Sequence, residues 1–170
     1  MLKMEEGDWD LIMNVHLKGA FMTAKAAWPH MRKNGYGRII NTSSGSGLYG
    51  NFGQGNYGAA KLGLVGMTRA LAQEGQSVNV LSNAIAPTSI TRMTEDILPQ
   101  DLHNIMTVEK IVPLVVYLTH PSCDINGKIF EVGGGWITEV RSERSAGAIF
   151  SGEMTAEQVA ERFSEVEDFQ

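Results

Sequence analysis

Along the first part of the chain, apolar positions recur at intervals of three and four. Ile12, Val15, Gly19 and Met22 fall on one side of a helix predicted from about Asp8 to Lys33, with Gly19 and Pro29 its only helix-disfavouring residues. Asn34 and Gly35 then supply a left-handed stop. The pattern changes at GRIINTSS, residues 37–44, where a β-branched run between turn residues predicts a short buried strand. A glycine-rich stretch follows, and a second helix is predicted from about Asn56 to Glu74, carrying Leu62, Val65 and Leu71. SVNVLSNAIAP, residues 77–87, reads as a strand stopped by Pro87. The polar, irregular segment 88–106 contains short helical pieces and would suit a lid.

Val108 to Thr119 is again helical in pattern, and Pro113 should kink it or mark a break. GKIFEV, residues 127–132, is a third strand, followed by Gly133, Gly134 and Gly135. Near the end, TAEQ (155–158) is a capping box, and Val159, Phe163 and Val166 form one apolar stripe of a terminal helix. Helices alternating with short strands imply parallel strands joined by helical crossovers, an α/β sheet.

Composition narrows the function classes. A hydrophobic content of 43% and a charged content of 19% in 170 residues describe one globular domain with a real core. The net charge of −5 and the scattered lysines and arginines argue against a nucleic-acid surface. No apolar run approaches the roughly 18 residues of a membrane helix. The acidic MLKMEEGDWD start is unlike a secretory signal, EDFQ is not an SKL-type address, and Cys123 is the single cysteine, so an intracellular soluble protein is expected.

The stretch SSGSGLYGNFGQGNYGAAKLG, residues 43–63, concentrates the candidate chemistry. Its GSGLYG (Gly45, Gly47, Gly50) matches the letters G-x-G-x-x-G after a strand, as a dinucleotide fingerprint would. Two requirements fail. NFGQG intervenes before the helix, and the next strand holds Asn79 and Asn83 where a ribose-binding carboxylate should stand. The fingerprint is rejected. Tyr57 and Lys61, one turn apart, sit on one helix face, where an ammonium near a phenol favours the phenolate. Alone, that pair is equally a surface contact. Ser44, at the exit of the predicted strand, corroborates it: strand ends of open parallel sheets bind ligands, and a hydroxyl there can donate to a carbonyl while Tyr57 exchanges the proton.

At these residues the chain resembles the short-chain dehydrogenase/reductase family, specifically its (3R)-hydroxyacyl-CoA dehydrogenase branch. The matching segments are DWDLIMNVHLKGAF, the run from Gly35 to Gly75, NAIAPTSITRMTEDILP and GKIFEVGGGWI, and the tail from Arg141 is also similar. The resemblance implies the C-terminal part of a doubly wound, Rossmann-like α/β parallel sheet with flanking helices. It implies that Ser44 orients the substrate oxygen, that Tyr57 is the acid/base, and that Lys61 lowers the Tyr57 pKa and bonds the nicotinamide ribose. It also places Pro87, Ile90 and Thr91 at the nicotinamide end of NAD or NADP. His16 falls where the family usually has a catalytic Asn and the branch has His; it is read as a proton relay or as a helix residue with a satisfied hydrogen bond. Thr88 departs from the family's usual Gly. An acyl-CoA substrate is implied, as is a homodimer through the helices 8–33 and 56–75.

Relative to that family the chain opens at the fourth helix. The N-terminal strands and the T-G-x-x-x-G-x-G turn that holds the cofactor pyrophosphate are not in it, a difference on the order of 100 residues. The expected organisation is therefore residues 1–150 as a truncated dehydrogenase domain and residues 151–170 as a C-terminal extension with one helix. The strand RIINTS should then carry a free, aggregation-prone edge. Three functions stay open: a hydroxyacyl-CoA dehydrogenase sequence inactive on its own, a non-catalytic partner docking on a full-length homologue, or a reductase of another carbonyl (3-oxoacyl-carrier-protein or steroid). Localisation follows the source, cytoplasmic if bacterial and peroxisomal if part of a eukaryotic enzyme. Of the smaller signals, Cys123, Trp28 and Trp136 are expected to be packing residues, and His30, His103 and His120 lack metal-ligand spacing. Arg92, Arg141 and Arg144 are candidates for CoA phosphates, and Met93, Leu98 and Met106 for an acyl groove.

Overall fold

The predicted first helix is built in three pieces. In the computed structural model, which describes residues 2–91, 99–152 and 154–169, α1 (Glu6–Ile12) runs into a π-helical segment, Met13–Lys18, and on into α2 (Gly19–Asn34). The Gly19 N–H reaches back five residues to the Asn14 carbonyl, so the segment holds one residue more than an α-turn would. The helix passes Pro29 and stops where Gly35 turns left-handed at φ 61°.

Strand β1 (Gly37–Thr42) follows, then a single turn, α3 (Gly45–Leu48), and the long helix α4 (Gly55–Gly75). β2 (Val80–Pro87) lies parallel to β1, with Thr42 opposite Ile85. Helix α5 (Val112–Thr119) carries Pro113 in its first turn, where the missing N–H costs no hydrogen bond. Pro113 therefore starts the helix and kinks nothing; the break falls just before it, after a short 3₁₀ turn over Val108–Lys110.

β3 (Ile129–Gly133) pairs parallel to β2, and Gly134 and Gly135 turn the chain straight back into β4 (Trp136–Val140), antiparallel to β3. β4 is an element that the sequence reading ended short of, and with it comes a correction: Trp136 is 60% exposed and packs no core. The order β1-β2-β3-β4 leaves β1 and β4 at the edges among the described residues.

Burial explains the strand chemistry. From Val80 to Ala86 every residue of β2 is buried, because this strand has a neighbour on each side and helices over both faces. On one face Ala24 of α2 packs with Ile39 and Val80, and Val65 of α4 with Ala84 and Ile129. On the other, Leu114 and Leu118 of α5 close over Ile85, Val132 and Cys123. Cys123 is a packed small side chain, as expected. Arg38 ties the lower end of the sheet together by donating to the carbonyls of Asn79 and Cys123, each at 3.1 Å.

The chain divides into two compact units, Met1–Val140 and Arg141–Gln170. Within the second, the Thr155 hydroxyl accepts from the Gln158 N–H at 3.3 Å, and the Gln158 side chain accepts from the Thr155 N–H at 3.1 Å. The capping box thus holds, but the helix behind it is split at Arg162 into α6 (Ala156–Glu161) and α7 (Phe163–Val166). Arg162 is committed elsewhere, to Glu165 at 2.6 Å and to the Ile149 carbonyl at 3.0 Å.

Candidate active site

The site is assembled where β1 gives way to α3. Ser43 donates its hydroxyl to the Lys61 carbonyl at 2.8 Å and its N–H to the Ile85 carbonyl at 2.7 Å, fixing the strand end to both α4 and β2. Ser44 is extended (φ −164°, ψ 153°) and caps α3, its Oγ accepting from the Ser46 N–H at 3.2 Å. Continuing the Thr42–Ile85 register by two places sets Ser44 level with Pro87. α3 then presses on α4: a Cβ at Gly47 would stand 2.8 Å from the Lys61 Cβ and 2.9 Å from the Leu62 nitrogen. That contact is the physical reason for a glycine in GSGLYG. There the glycine's backbone meets a helix, leaving no room for a side chain.

On α4, Lys61 is only 8% exposed. Its Nζ donates to the Thr42 carbonyl at 2.8 Å and lies 5.5 Å from the centre of the Tyr57 ring. Burial lowers the Lys61 pKa, since the charged form loses water. The sequence pair Tyr57–Lys61 therefore shares one local environment, and the ammonium retains donors beyond the one given to Thr42.

His16, in the π-helical turn, meets the Tyr57 ring edge to face, with centroids 5.3 Å apart and planes at 89°. Burial, and secondarily the charge of Lys61, hold its pKa below the usual 6.5. The sign follows: with the folded value depressed, the contribution of neutral His16 is present above the ordinary value and is lost as pH falls through the lowered one. Urea melts of the His16→Gln variant should accordingly lose less stability than the unmodified chain on going from about pH 7 to pH 5. Parallel losses would remove His16 as a titrating contributor.

Pro87 ends β2, and Ile90 and Thr91 follow it beyond the strand tip adjacent to Ser44. The Ile90 N–H donates to the Met106 carbonyl at 2.6 Å, so the chain itself uses that donor. Met106 is seated on the β3–β4 turn, where a Cβ on Gly134 would fall 2.7 Å from its sulfur. Arg92, Met93 and Leu98 lie outside the described residues. Arg141 and Arg144 belong to the second unit and are exposed. Among the described residues no cluster of His, Cys, Asp or Glu could hold a metal. No helix there is long and apolar enough to cross a membrane.

Sequence reasoning missed two supports. The Asn56 side chain donates to the Asp8 carbonyl at 3.2 Å and accepts from the Tyr57 N–H at 2.8 Å, anchoring the start of α4 beside the catalytic candidate. An Asn at a helix start was the available signal. The second, the Thr42 carbonyl on Lys61, has no sequence signature because any residue supplies it.

Comparison with known proteins places this geometry in context. The family model for short chain dehydrogenases matches residues 1–101. Peroxisomal multifunctional enzyme A of Dictyostelium discoideum is 48% identical over 167 residues, covering 98% of this chain and 38% of that protein. Peroxisomal multifunctional enzyme type 2 of Mus musculus is 49% identical over 170 residues, covering 98% of this chain and 23% of that protein. The solved structure of full-length peroxisomal multifunctional enzyme type 2 from Drosophila melanogaster superimposes with a TM-score of 0.91 at 46% identity, over 99% of this chain and 31% of that one. The chain thus spans well under half the length of each of these three relatives.

Proposed function

This chain belongs to the short-chain dehydrogenase family, and from that premise we propose that its site performs oxidoreduction between 3-hydroxyacyl-CoA and 3-oxoacyl-CoA. In the reducing direction the substrate carbonyl oxygen accepts a hydrogen bond from the Ser44 hydroxyl and the proton from the Tyr57 phenol. The Lys61 ammonium stabilises the phenolate left behind, and His16 relays the replacement proton. A bound nicotinamide supplies the hydride in this direction and accepts it in the other. The observation that carries the reading is the buried Lys61 ammonium set over the Tyr57 ring, with the Ser44 turn pressed on the same helix at Gly47.

The donor set fits the nicotinamide-ribose end of NAD or NADP. Lys61 gives one of three N–H groups to Thr42 and keeps the others for ribose hydroxyls. Pro87 ends β2 at that strand tip, whereas the Ile90 amide is spoken for by Met106. In the GSGLYG turn, the space beside Gly47 is taken by α4.

A homodimer through α2 and α4 is the partner reading. Phe21, Met22 and Leu62 are exposed on these helices, and a groove of about 520 Å³ lined by Trp28, Met67 and Leu71 runs between them. The same apolar surface favours the second reading, a non-catalytic subunit docked on a full-length homologue.

Calorimetric titration with NADH and NADPH, followed by turnover assays on 3-oxoacyl-CoA and carrier-protein thioesters, separates these outcomes. Cofactor binding with CoA-ester turnover would support the proposed reaction and overturn the reading of the chain as inactive on its own. Turnover of the carrier-protein ester alone would transfer the reading to another carbonyl substrate, and no cofactor binding at millimolar concentration would leave the docked-subunit reading.

A further inference from the structure

The helical turn that carries Ser44 is too short to stand alone: four residues close a single turn, and a single turn is unstable in water. Three supports hold its beginning and its flank. Ser44 caps it, Gly47 abuts Lys61, and Leu48 packs on the Val65, Ala84 and Ile129 cluster. Its far end, Tyr49, has a different tether. The Tyr49 phenol is 67% exposed, yet it reaches across the sheet end and donates to the Glu131 carboxylate. Glu131 lies in β3, paired with Ala86 of β2 on one side and Thr138 of β4 on the other, so its backbone is held from both directions. The bond to Glu131 also raises the Tyr49 pKa, keeping the phenol a donor.

Beyond Tyr49 the chain leaves the sheet. Phe52 is fully exposed, and the next tie to another element is Asn56 on the Asp8 carbonyl. The Tyr49–Glu131 bond is thus the last anchor between Ser44 and the loop that returns to Tyr57.

We propose that Tyr49 and Glu131 are a positioning pair that fixes the Ser44 turn over the strand tips. The inference rests on the reading of Ser44 as the hydroxyl that meets the substrate oxygen. Neither residue touches the reacting atoms. Their work is to hold the far end of a one-turn helix, whose tilt sets the direction of the Ser44 hydroxyl, and misplacement of a reacting group by about an ångström is enough to slow a reaction substantially.

The test compares Tyr49→Phe, Glu131→Leu and Glu131→Gln in the full chain. Amide–solvent exchange of Ser46, Gly47 and Leu48, followed by NMR, should quicken about five- to tenfold in Tyr49→Phe and in Glu131→Leu. Glu131→Gln keeps an oxygen acceptor for the phenol and should restore exchange to within about twofold of the unmodified chain. Amides of Val65 and Thr68 in α4 serve as the internal reference and should not change. In turnover, the first two variants should lose about tenfold in kcat with KM held, and Glu131→Gln should recover it. Unchanged exchange in Tyr49→Phe, or a Glu131→Gln variant that behaves as Glu131→Leu, would overturn the proposal. Exchange needs no turnover, so absence of activity in the unmodified chain would count against the proposed reaction alone, and the exchange measurements would still decide the pair.

Discussion

Tyr57→Phe is expected to lower kcat by about 10²–10⁴-fold, the range that a positioned proton donor contributes. The substitution deletes one oxygen and keeps the ring. The edge-to-face contact with His16 and the placement of the ring under Lys61 do not depend on the hydroxyl, so the melting temperature should hold and the loss should be chemical. Nicotinamide binding should also survive, because Lys61 stays fixed by the Thr42 carbonyl. The measurement is steady-state turnover in both directions beside cofactor titration of the same preparation. A variant that keeps more than about a tenth of the parent kcat would place the proton transfer on another group.

Gly75→Ala is expected to be the most damaging small change to the fold, destabilising by about 3 kcal/mol. A Cβ there would stand 2.1 Å from the Val80 carbonyl oxygen, with the Val80 carbonyl carbon at 3.0 Å. Both are backbone atoms, and Val80 is fully buried at the start of the central strand. Neither can step aside, so the end of α4 must lift from β2. The melting temperature should fall on the order of 10 °C, and activity should fall with it because Tyr57 and Lys61 ride on the same helix. Gly7→Ala is the control: it lies in α1 with nothing within 4 Å of the added carbon, and it should melt with the parent. Equal melting of the two variants would show that the α4–β2 contact yields more readily than backbone packing allows.

What the sequence disclosed, and what it hid, follows from the kind of signal each element leaves. β1, α4, β2 and β3 were legible because their apolar positions repeat with the period of the element and end at Gly, Pro or Asn. The nearness of Lys61 to Tyr57 was legible because residues four apart share a helix face. The π-helical turn left no mark, since an extra residue within a helix shifts the apolar pattern no more than a loosely kept stripe does. β4 was hidden by three consecutive glycines that read as an ending, while Trp136 and Ile137, both exposed, resemble core residues in composition alone. The break at Arg162 was invisible for a related reason: Val159, Phe163 and Val166 keep helical spacing on both sides of it. The Thr42 and Asp8 carbonyls that hold Lys61 and Asn56 are backbone groups, which sequence cannot distinguish.

The surplus residue in Met13–Lys18 makes this stretch the place where the chain tolerates a change of length. Deleting one residue there would let the coil close into ordinary α geometry without opening a gap. Because the wide turn already absorbs that residue, everything upstream would keep its rotation about the axis. Asp8 would go on presenting its carbonyl to Asn56, while the imidazole, which sits inside the wide turn, would turn from the phenol it now meets edge-on. The rod would survive intact with only the hand held out from that turn displaced, so a single-codon loss at this point would separate foldedness from chemistry more cleanly than a substitution.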